Sequence, residues 1–179
     1  MIYVFLAEGF EITEALAPVD MMRRAKLDVK TVGVTGKTVV SSHKIPVTAD
    51  ITIDEITTKD LQAVVLPGGM PGTLNLKANN NVLDTVRYAY ENNLVIGAIC
   101  AAPSVLGFMG ILDGKKAVCY PGFEEELKGA YIQNCGVVAD DNIITARGAG
   151  VSIEFGLALV KALKDEETAN SVKAAIQSI

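Results

Sequence analysis

Residues 94–106, LVIGAICAAPSVL, constrain the fold of this chain more than any other stretch. They begin as an unbroken apolar run of strand length, which is typical of a strand covered on both faces. They continue as Ala-Ala-Pro and apolar residues at helical spacing, which predicts a helix ending near Gly110. Cys100 lies at the junction, with the small residues Ala98 and Ala102 two positions away on each side. This spacing is that of a nucleophile elbow with cysteine in place of serine.

The turn at Cys100 favours a reactive thiol. Free backbone N–H groups and the positive end of the helix dipole point at the residue in such a turn. We therefore expect the turn to lower the pKa of the Cys100 thiol, which would make the thiolate nucleophilic and oxidisable at neutral pH. From this segment alone, a buried structural cysteine is an equally good interpretation.

Composition limits the class of protein. The 179 residues suffice for one domain with a substantial core, here taken as residues 1–179. No segment approaches the roughly 18 consecutive apolar residues of a membrane helix. The chain starts directly with a strand and lacks the basic region of a signal peptide, so a cytoplasmic protein with no membrane partner is expected.

Charge, cysteine count and glycine motifs narrow the class further. The net charge of −5 without a basic stripe argues against nucleic acid as the main partner. Three cysteines without CxxC spacing favour reduced thiols over a disulfide framework or a metal site. The chain has neither GxxxxGK[ST] nor GxGxxG, so it has no phosphate loop, and we predict no cofactor.

Apolar runs alternate with helical patterns along the chain, which predicts an α/β fold with a mostly parallel sheet and helices on both faces. The predicted strands are residues 2–6, 27–34, 63–66, 94–99, 116–120, 137–139 and 143–146. The main predicted helices are residues 11–26, 81–92, 151–163 and 165–178, with a hairpin around residues 39–47. In such sheets the ligand crevice lies beyond the carboxyl ends of the strands. The loops at residues 9–14, 67–72 and 100–102 are expected to meet there.

Acidic residues in the first of these loops are candidate partners of the thiol. Glu8, Glu11 and Glu14 are spaced by three, so those that are helical lie near one helix face. Each is more simply explained as a first-turn acid that complements the helix dipole. A carboxyl aimed at Cys100 could instead donate a hydrogen bond to the sulfur when protonated, or act as a general acid or base.

The second loop offers backbone donors. Gly68 and Gly69 permit close approach of a ligand or of the Cys100 sulfur, and the Gly69 N–H with the Ala101 N–H could form an oxyanion hole. A plain turn explains the Pro-Gly-Gly sequence equally simply. His43, the single histidine, is distant in sequence from the elbow and is interpreted as a surface residue, which counts against a Cys-His hydrolase. Cys119 and Cys135 are interpreted as packing residues.

These motifs together resemble the ThiJ/PfpI superfamily, in its DJ-one/YajL-like branch. The similarity runs from residue 2 to about residue 175 and rests on separated landmarks in the right order: LAEGFEITE at 6–14, PVD at 18–20, MRR at 22–24, VLPGG at 65–69, AICAAP at 98–103 and RGAG at 147–150.

The resemblance implies a flavodoxin-like three-layer sandwich and a homodimer. It makes Cys100 the reactive, easily oxidised cysteine and Glu14 its carboxyl partner, with backbone donors at Gly69 and Ala101. Activities attributed to similar proteins are glutathione-independent conversion of 2-oxoaldehydes such as methylglyoxal, reversal of early glycation adducts, oxidative-stress sensing and chaperone activity.

The chain also departs from the family pattern. Ala101 stands where the peptidase-like branch has a histidine, which argues against proteolysis. Tyr120 stands where some relatives carry a pocket histidine before proline, and its hydroxyl would have to replace that imidazole. Arg24 and His43 resemble positions near the dimer-related pocket, where an arginine often stands in place of His43. Two hypotheses follow: an enzyme acting on 2-oxoaldehydes, or a non-catalytic redox sensor or chaperone whose Cys100 is oxidised to a sulfinate. A cysteine peptidase is the least favoured.

Overall fold

The computed structural model describes residues 1–178 as an α/β sandwich. Its strands are β1 (Ile2–Leu6), β2 (Val29–Gly33), β3 (Thr38–Val40), β4 (Pro46–Thr48), β5 (Ile51–Thr52), β6 (Ala63–Leu66), β7 (Val95–Ile99), β8 (Lys116–Ala117), β9 (Tyr131–Ile132), β10 (Val137–Asp140) and β11 (Ile143–Ala146). Its helices are α1 (Ile12–Arg24), α2 (Gly72–Ala78), α3 (Asn80–Glu91), α4 (Pro103–Phe108), α5 (Ser152–Leu163) and α6 (Glu166–Ala175).

Seven strands form the central sheet in the order β10-β11-β7-β6-β1-β2-β5. Every neighbouring pair is parallel except β10 with β11. The chain leaves β1 toward β2 and returns to the other side of β1 with β6, so the strand order reverses between β1 and β6. Ligand crevices of open α/β sheets lie at such a reversal, beyond the carboxyl ends of the strands. The predicted fold class is confirmed.

The fully apolar strands are explained by two cores, one on each face of the sheet. Along β1, Ile2, Val4 and Leu6 pack into the core formed with α1, α5 and α6, whereas Tyr3 and Phe5 pack into the core on the other face. Successive strand residues point to opposite faces, so a strand covered on both sides must be apolar at every position. This burial holds the carboxyl ends of the central strands in place.

The structure changes some of the predicted boundaries. The strand predicted at residues 116–120 is shorter and pairs with β9, which the sequence pattern does not predict, because two residues carry no measurable alternation. The predicted hairpin is present as β3 with β4. Pro18 lies inside an uninterrupted α1. Because proline has no backbone N–H, the Glu14 carbonyl lacks its usual hydrogen bond from residue 18.

Candidate active site

Cys100 occupies a sharp turn directly after β7. Its backbone has a φ of +65°, a left-handed conformation that a non-glycine residue rarely adopts. The turn is held from both sides: the Cys100 N–H donates to the Ala146 carbonyl at 2.9 Å, and the Cys100 carbonyl accepts from the Tyr120 N–H at 2.8 Å. The thiol is partly exposed. A strained residue held by its neighbours in this way is typical of a functional site, and the turn has the strand-turn-helix geometry of a nucleophile elbow.

The three glutamates of the first loop have three different roles. Glu11 is the N-cap of α1, and its side chain accepts from the Glu14 N–H at 2.7 Å. Glu8 is exposed and accepts from the Val40 N–H at 3.0 Å. Glu14 alone is buried, with 1% of its surface exposed, and is hydrogen-bonded to the Cys100 thiol. The predicted role at the start of the helix therefore holds for Glu11; Glu8 lies outside α1, and Glu14 is in its first turn but is buried beside the thiol.

Gly68 must be a glycine because it separates the carboxyl from the thiol. A Cβ at residue 68 would lie 2.7 Å from the Cys100 Cβ, 2.7 Å from Glu14 Oε2 and 3.0 Å from the Ile99 carbonyl oxygen. The Gly68 N–H donates to Glu14 Oε2 at 3.0 Å. On the other side of the thiol, the backbone N–H groups of Ala101 and Gly69 hydrogen-bond the Cys100 sulfur. The predicted backbone donors therefore surround the sulfur.

Burial is the main electrostatic influence on this pair. It raises the pKa of the Glu14 carboxyl from 4.5 to about 7, and the nearby Glu11 charge adds to the effect. Burial also raises the pKa of the Cys100 thiol from 9.0 to about 12, with a further contribution from the Glu14 carboxylate. The N–H groups of Ala101 and Gly69 oppose this rise. The N–H groups of the turn therefore act in the predicted direction, but burial and the Glu14 carboxyl outweigh them.

The pair consequently behaves as one titrating unit. Because the Glu14 carboxylate raises the pKa of the thiol, ionisation of one group disfavours ionisation of the other, and a thiolate is favoured only while Glu14 keeps its proton. A carboxyl with a pKa of about 7 can both donate and accept a proton at that pH.

A cavity of about 380 Å³ lies beside the pair. It is lined by Tyr120, Pro121, Arg147, Gly148, Ala149, Gly150 and Val151. The Ala149 N–H helps to lower the pKa of Glu14, and a Cβ on Gly148 would lie 4.0 Å from Glu14 Oε1 and 3.4 Å from the Tyr120 ring. Tyr120 is therefore at the pocket as predicted. The volume suits a small molecule.

Sequence reasoning missed the Arg147–Ala149 segment as part of the site. The segment follows β11, and β11 pairs with β7 so that Ala146 lies beside Ile99. Arg147 therefore leaves the sheet next to Cys100. The same rule that selected the other three loops would have selected this one, but residues 143–146 look like half of a hairpin around residues 140–142 rather than a strand of the parallel sheet.

Two predicted pocket residues do not line the Cys100 pocket of their own chain. Arg24 is in the last turn of α1, about 15 Å along the helix from Glu14, and pairs with Asp20 at 2.8 Å. His43 is exposed, and its Nδ1 lies 3.2 Å from Ser42 Oγ. The interpretation of His43 as a surface residue is confirmed. No imidazole is available to the thiol within one chain over residues 1–178.

The other two cysteines differ from each other. Cys119 is buried in the core, as its packing interpretation predicts, and burial raises the pKa of its thiol to about 11. Cys135 is exposed, so the packing interpretation is wrong for it. In the described part of the chain, no helix is long and apolar enough to cross a membrane.

The fold and the site define a flavodoxin-like α/β protein with a cysteine nucleophile elbow. A specific family accounts for both: the sequence profile of the DJ-1/PfpI family matches residues 1–162, and the chain belongs to this family. The chain is 33% identical over 172 residues to Protein dj-1beta of Drosophila melanogaster, covering 94% of this chain and 92% of that protein. It is 37% identical over 163 residues to Protein DJ-1 homolog B of Arabidopsis thaliana, where the match covers 89% of this chain but only 37% of the longer plant protein.

Solved structures show the same fold. A cysteine-to-alanine mutant of a DJ-1 superfamily protein from Salmonella typhimurium has a TM-score of 0.93 and 35% identity, covering 98% of this chain and 97% of that chain. The oxidized form of Toxoplasma gondii DJ-1 has a TM-score of 0.94 and 30% identity over the same shares of the two chains.

Proposed function

We propose that this protein is a glutathione-independent glyoxalase that converts small 2-oxoaldehydes such as methylglyoxal into 2-hydroxy acids. The observation that carries the proposal is the buried Glu14 carboxyl hydrogen-bonded to the partly exposed Cys100 thiol, beside a cavity of small-molecule size. A nucleophile and a proton carrier are thus in contact where a ligand can enter. Action on early glycation adducts would use the same groups.

In the proposed reaction the Cys100 thiolate adds to the aldehyde carbon, with Glu14 holding the proton. The N–H groups of Gly69 and Ala101 stabilise the oxyanion as it forms, and Glu14 then protonates it to give a hemithioacetal. The Glu14 carboxylate next removes the proton from the former aldehyde carbon and passes it to the neighbouring carbonyl oxygen, which gives an enediol. Protonation at the neighbouring carbon, with loss of the hydroxyl proton on the first carbon, gives a 2-hydroxyacyl thioester, which water hydrolyses to the acid and the free thiol. The first carbon is oxidised and the second reduced, so no external oxidant is required.

Methylglyoxal consumption without glutathione, with the hydroxy acid as the measured product, tests this proposal. Cys100→Ala removes the nucleophile and should abolish turnover, and Glu14→Gln should lower kcat by about 10² or more because it removes the proton carrier. Cys135→Ser is the matched control, since it removes an exposed thiol outside the site. Unchanged turnover in Cys100→Ala would contradict the proposal.

A redox role for the same thiol is the second candidate. It is supported by the surroundings of the sulfur, because a sulfinate would accept hydrogen bonds from the Ala101 and Gly69 N–H groups and from a protonated Glu14. Mild peroxide should then add two oxygens to Cys100 before it modifies the more exposed Cys135. Earlier modification of Cys135 in peptide mass spectra would argue against this role.

Peptidase chemistry has the least support, because no histidine lies at the thiol within the described chain and Tyr120 cannot act as an imidazole base. The homodimer implied by the resemblance stays a prediction, which light scattering of the purified protein would check.

A further inference from the structure

We infer that Arg147 binds an anionic group on the ligand, so that the preferred substrates are short 2-oxoaldehydes that carry a carboxylate. The choice of substrate class rests on the proposed function, whereas the anion site itself does not. Arg147 lines the 380 Å³ cavity and leaves the sheet beside Cys100. The cavity therefore has Arg147 in its wall, directly after the strand that pairs with β7 and so beside the turn that holds Cys100.

Arg147 differs from the other arginines in its partner. The chain has four arginines, and Arg23, Arg24 and Arg87 each pair with an aspartate at 2.5 to 2.8 Å. Arg147 has no carboxylate partner among residues 1–178; its Nη1 donates to the neutral Asn134 Oδ1 at 3.0 Å. A neutral partner positions the guanidinium without neutralising it, and the remaining N–H groups are suited to bind a carboxylate.

One carboxylate that shares a cavity with Arg147, that of Glu124, hydrogen-bonds another group. Glu124 lines a second cavity that also touches Arg147, but its carboxylate accepts from the Gly122 N–H at 2.6 Å and forms no ion pair with the guanidinium. On the side of the first cavity, the N-terminal end of the twelve-residue α5 follows Val151 and adds the positive end of its dipole.

The remaining walls suit the carbon chain of such a ligand. Pro121 and Val151 provide apolar surface, and Tyr120 provides a hydroxyl at the mouth of the cavity. A ligand with its aldehyde at Cys100 and a carboxylate at Arg147 would therefore place each part against groups of matching chemistry.

Two alkylating agents of nearly equal size distinguish the effect of the reagent's charge from the general reactivity of the Cys100 thiol. Iodoacetate carries the carboxylate and iodoacetamide does not, and both alkylate a thiolate with loss of iodide. The ratio of their rates at Cys100, followed by mass spectrometry of the peptide that contains it, cancels any general change in thiol reactivity. We expect Arg147→Gln to lower the iodoacetate to iodoacetamide ratio by about fivefold, the size expected for a half-solvated charged contact. Arg147→Lys keeps a positive charge and should keep part of the wild-type preference for iodoacetate.

Arg87→Gln is the matched control, since Arg87 pairs with Asp84 on the exposed side of α3, and its ratio should equal that of the wild type. A ratio that is the same in Arg147→Gln and wild type would overturn the anion site.

The wild-type protein alone provides a second test. The net charge of −5 would repel iodoacetate, so without a local anion site added salt should speed its reaction with Cys100. An anion site at Arg147 predicts the opposite, a slower reaction with rising salt and no change for iodoacetamide. Acceleration by salt would overturn the site even if the Arg147 variants fail to fold.

Turnover then tests the substrate class separately. The wild type should have a higher kcat/KM for a carboxylate-bearing 2-oxoaldehyde than for its neutral analogue of equal length, and Arg147→Gln should reverse this preference. An alkylation ratio that depends on Arg147 without turnover of either aldehyde would refute the proposed glyoxalase but retain the anion site. Turnover with no preference for the carboxylate would refute the substrate class.

Discussion

The buried carboxyl of Glu14 makes a quantitative prediction about stability and pH. Cys100→Ala gives the simplest background, because it removes the coupled thiol. The Cys100 hydrogen bond lowers the pKa of Glu14, so without it that pKa stays at or above about 7. An unfolded chain has the ordinary value of 4.5. The folded protein therefore holds a proton between pH 4.5 and about 7 that the unfolded chain releases.

This proton makes the protein less stable as the pH rises. The contribution of Glu14 to the free energy of unfolding is fully present below pH 4.5 and is lost as the pH passes through about 7. The difference between the two pKa values corresponds to about 3 kcal/mol. Water does not screen the Glu14 charge in the folded protein, because the residue is only 1% exposed.

Urea unfolding of Cys100→Ala and of the same protein with Glu14→Gln, at several pH values, measures this effect. Glutamine does not titrate. The free energy of unfolding of the Glu14→Gln protein should therefore rise, relative to that of the protein that keeps Glu14, by about 3 kcal/mol from pH 4.5 to about pH 8. Glu167→Gln, on the exposed surface of α6, controls for the loss of a charge as such. A difference between the two proteins that does not vary with pH would refute the assignment of Glu14 as a desolvated carboxyl.

Two substitutions of glycine test the packing around the site. Gly68→Ala should lower the free energy of unfolding by about 1–3 kcal/mol in urea, because the added Cβ would lie 2.7 Å from both Cys100 Cβ and Glu14 Oε2 and must separate them; unchanged stability would contradict this geometry. Gly156→Ala should lower the free energy of unfolding by about 1–3 kcal/mol in urea, because its Cβ would lie 2.9 Å from the Pro18 Cα, a backbone atom that moves only with α1; unchanged stability would show that the two helices can separate at little cost.

Local patterns predict the frame of the fold because burial on both faces of the sheet leaves little choice of residue. The strands Ile2–Leu6 and Ala63–Leu66 have the predicted boundaries, and the elbow lies at Cys100 as its small neighbours require. The short pair β8 and β9 is different, because two residues carry no periodic signal and their pairing depends on chain segments far apart in sequence.

The same distinction between local pattern and tertiary contact applies to the site. Spacing identified Cys100 and the glycine loop, but it could not choose among Glu8, Glu11 and Glu14, which are alike in sequence. Tertiary contacts separate them: one caps a helix, one lies in solvent, and one is buried against the thiol.

The sequence by itself determined the order of strands and helices and the place where the chain turns at Cys100, since both depend on the size and polarity of neighbouring residues. Only the tertiary structure decided the charge state of the site and the place of Arg147. Desolvation and ion pairing depend on which distant residues surround a group, and the burial of Glu14 and the missing carboxylate at Arg147 arise from such neighbours.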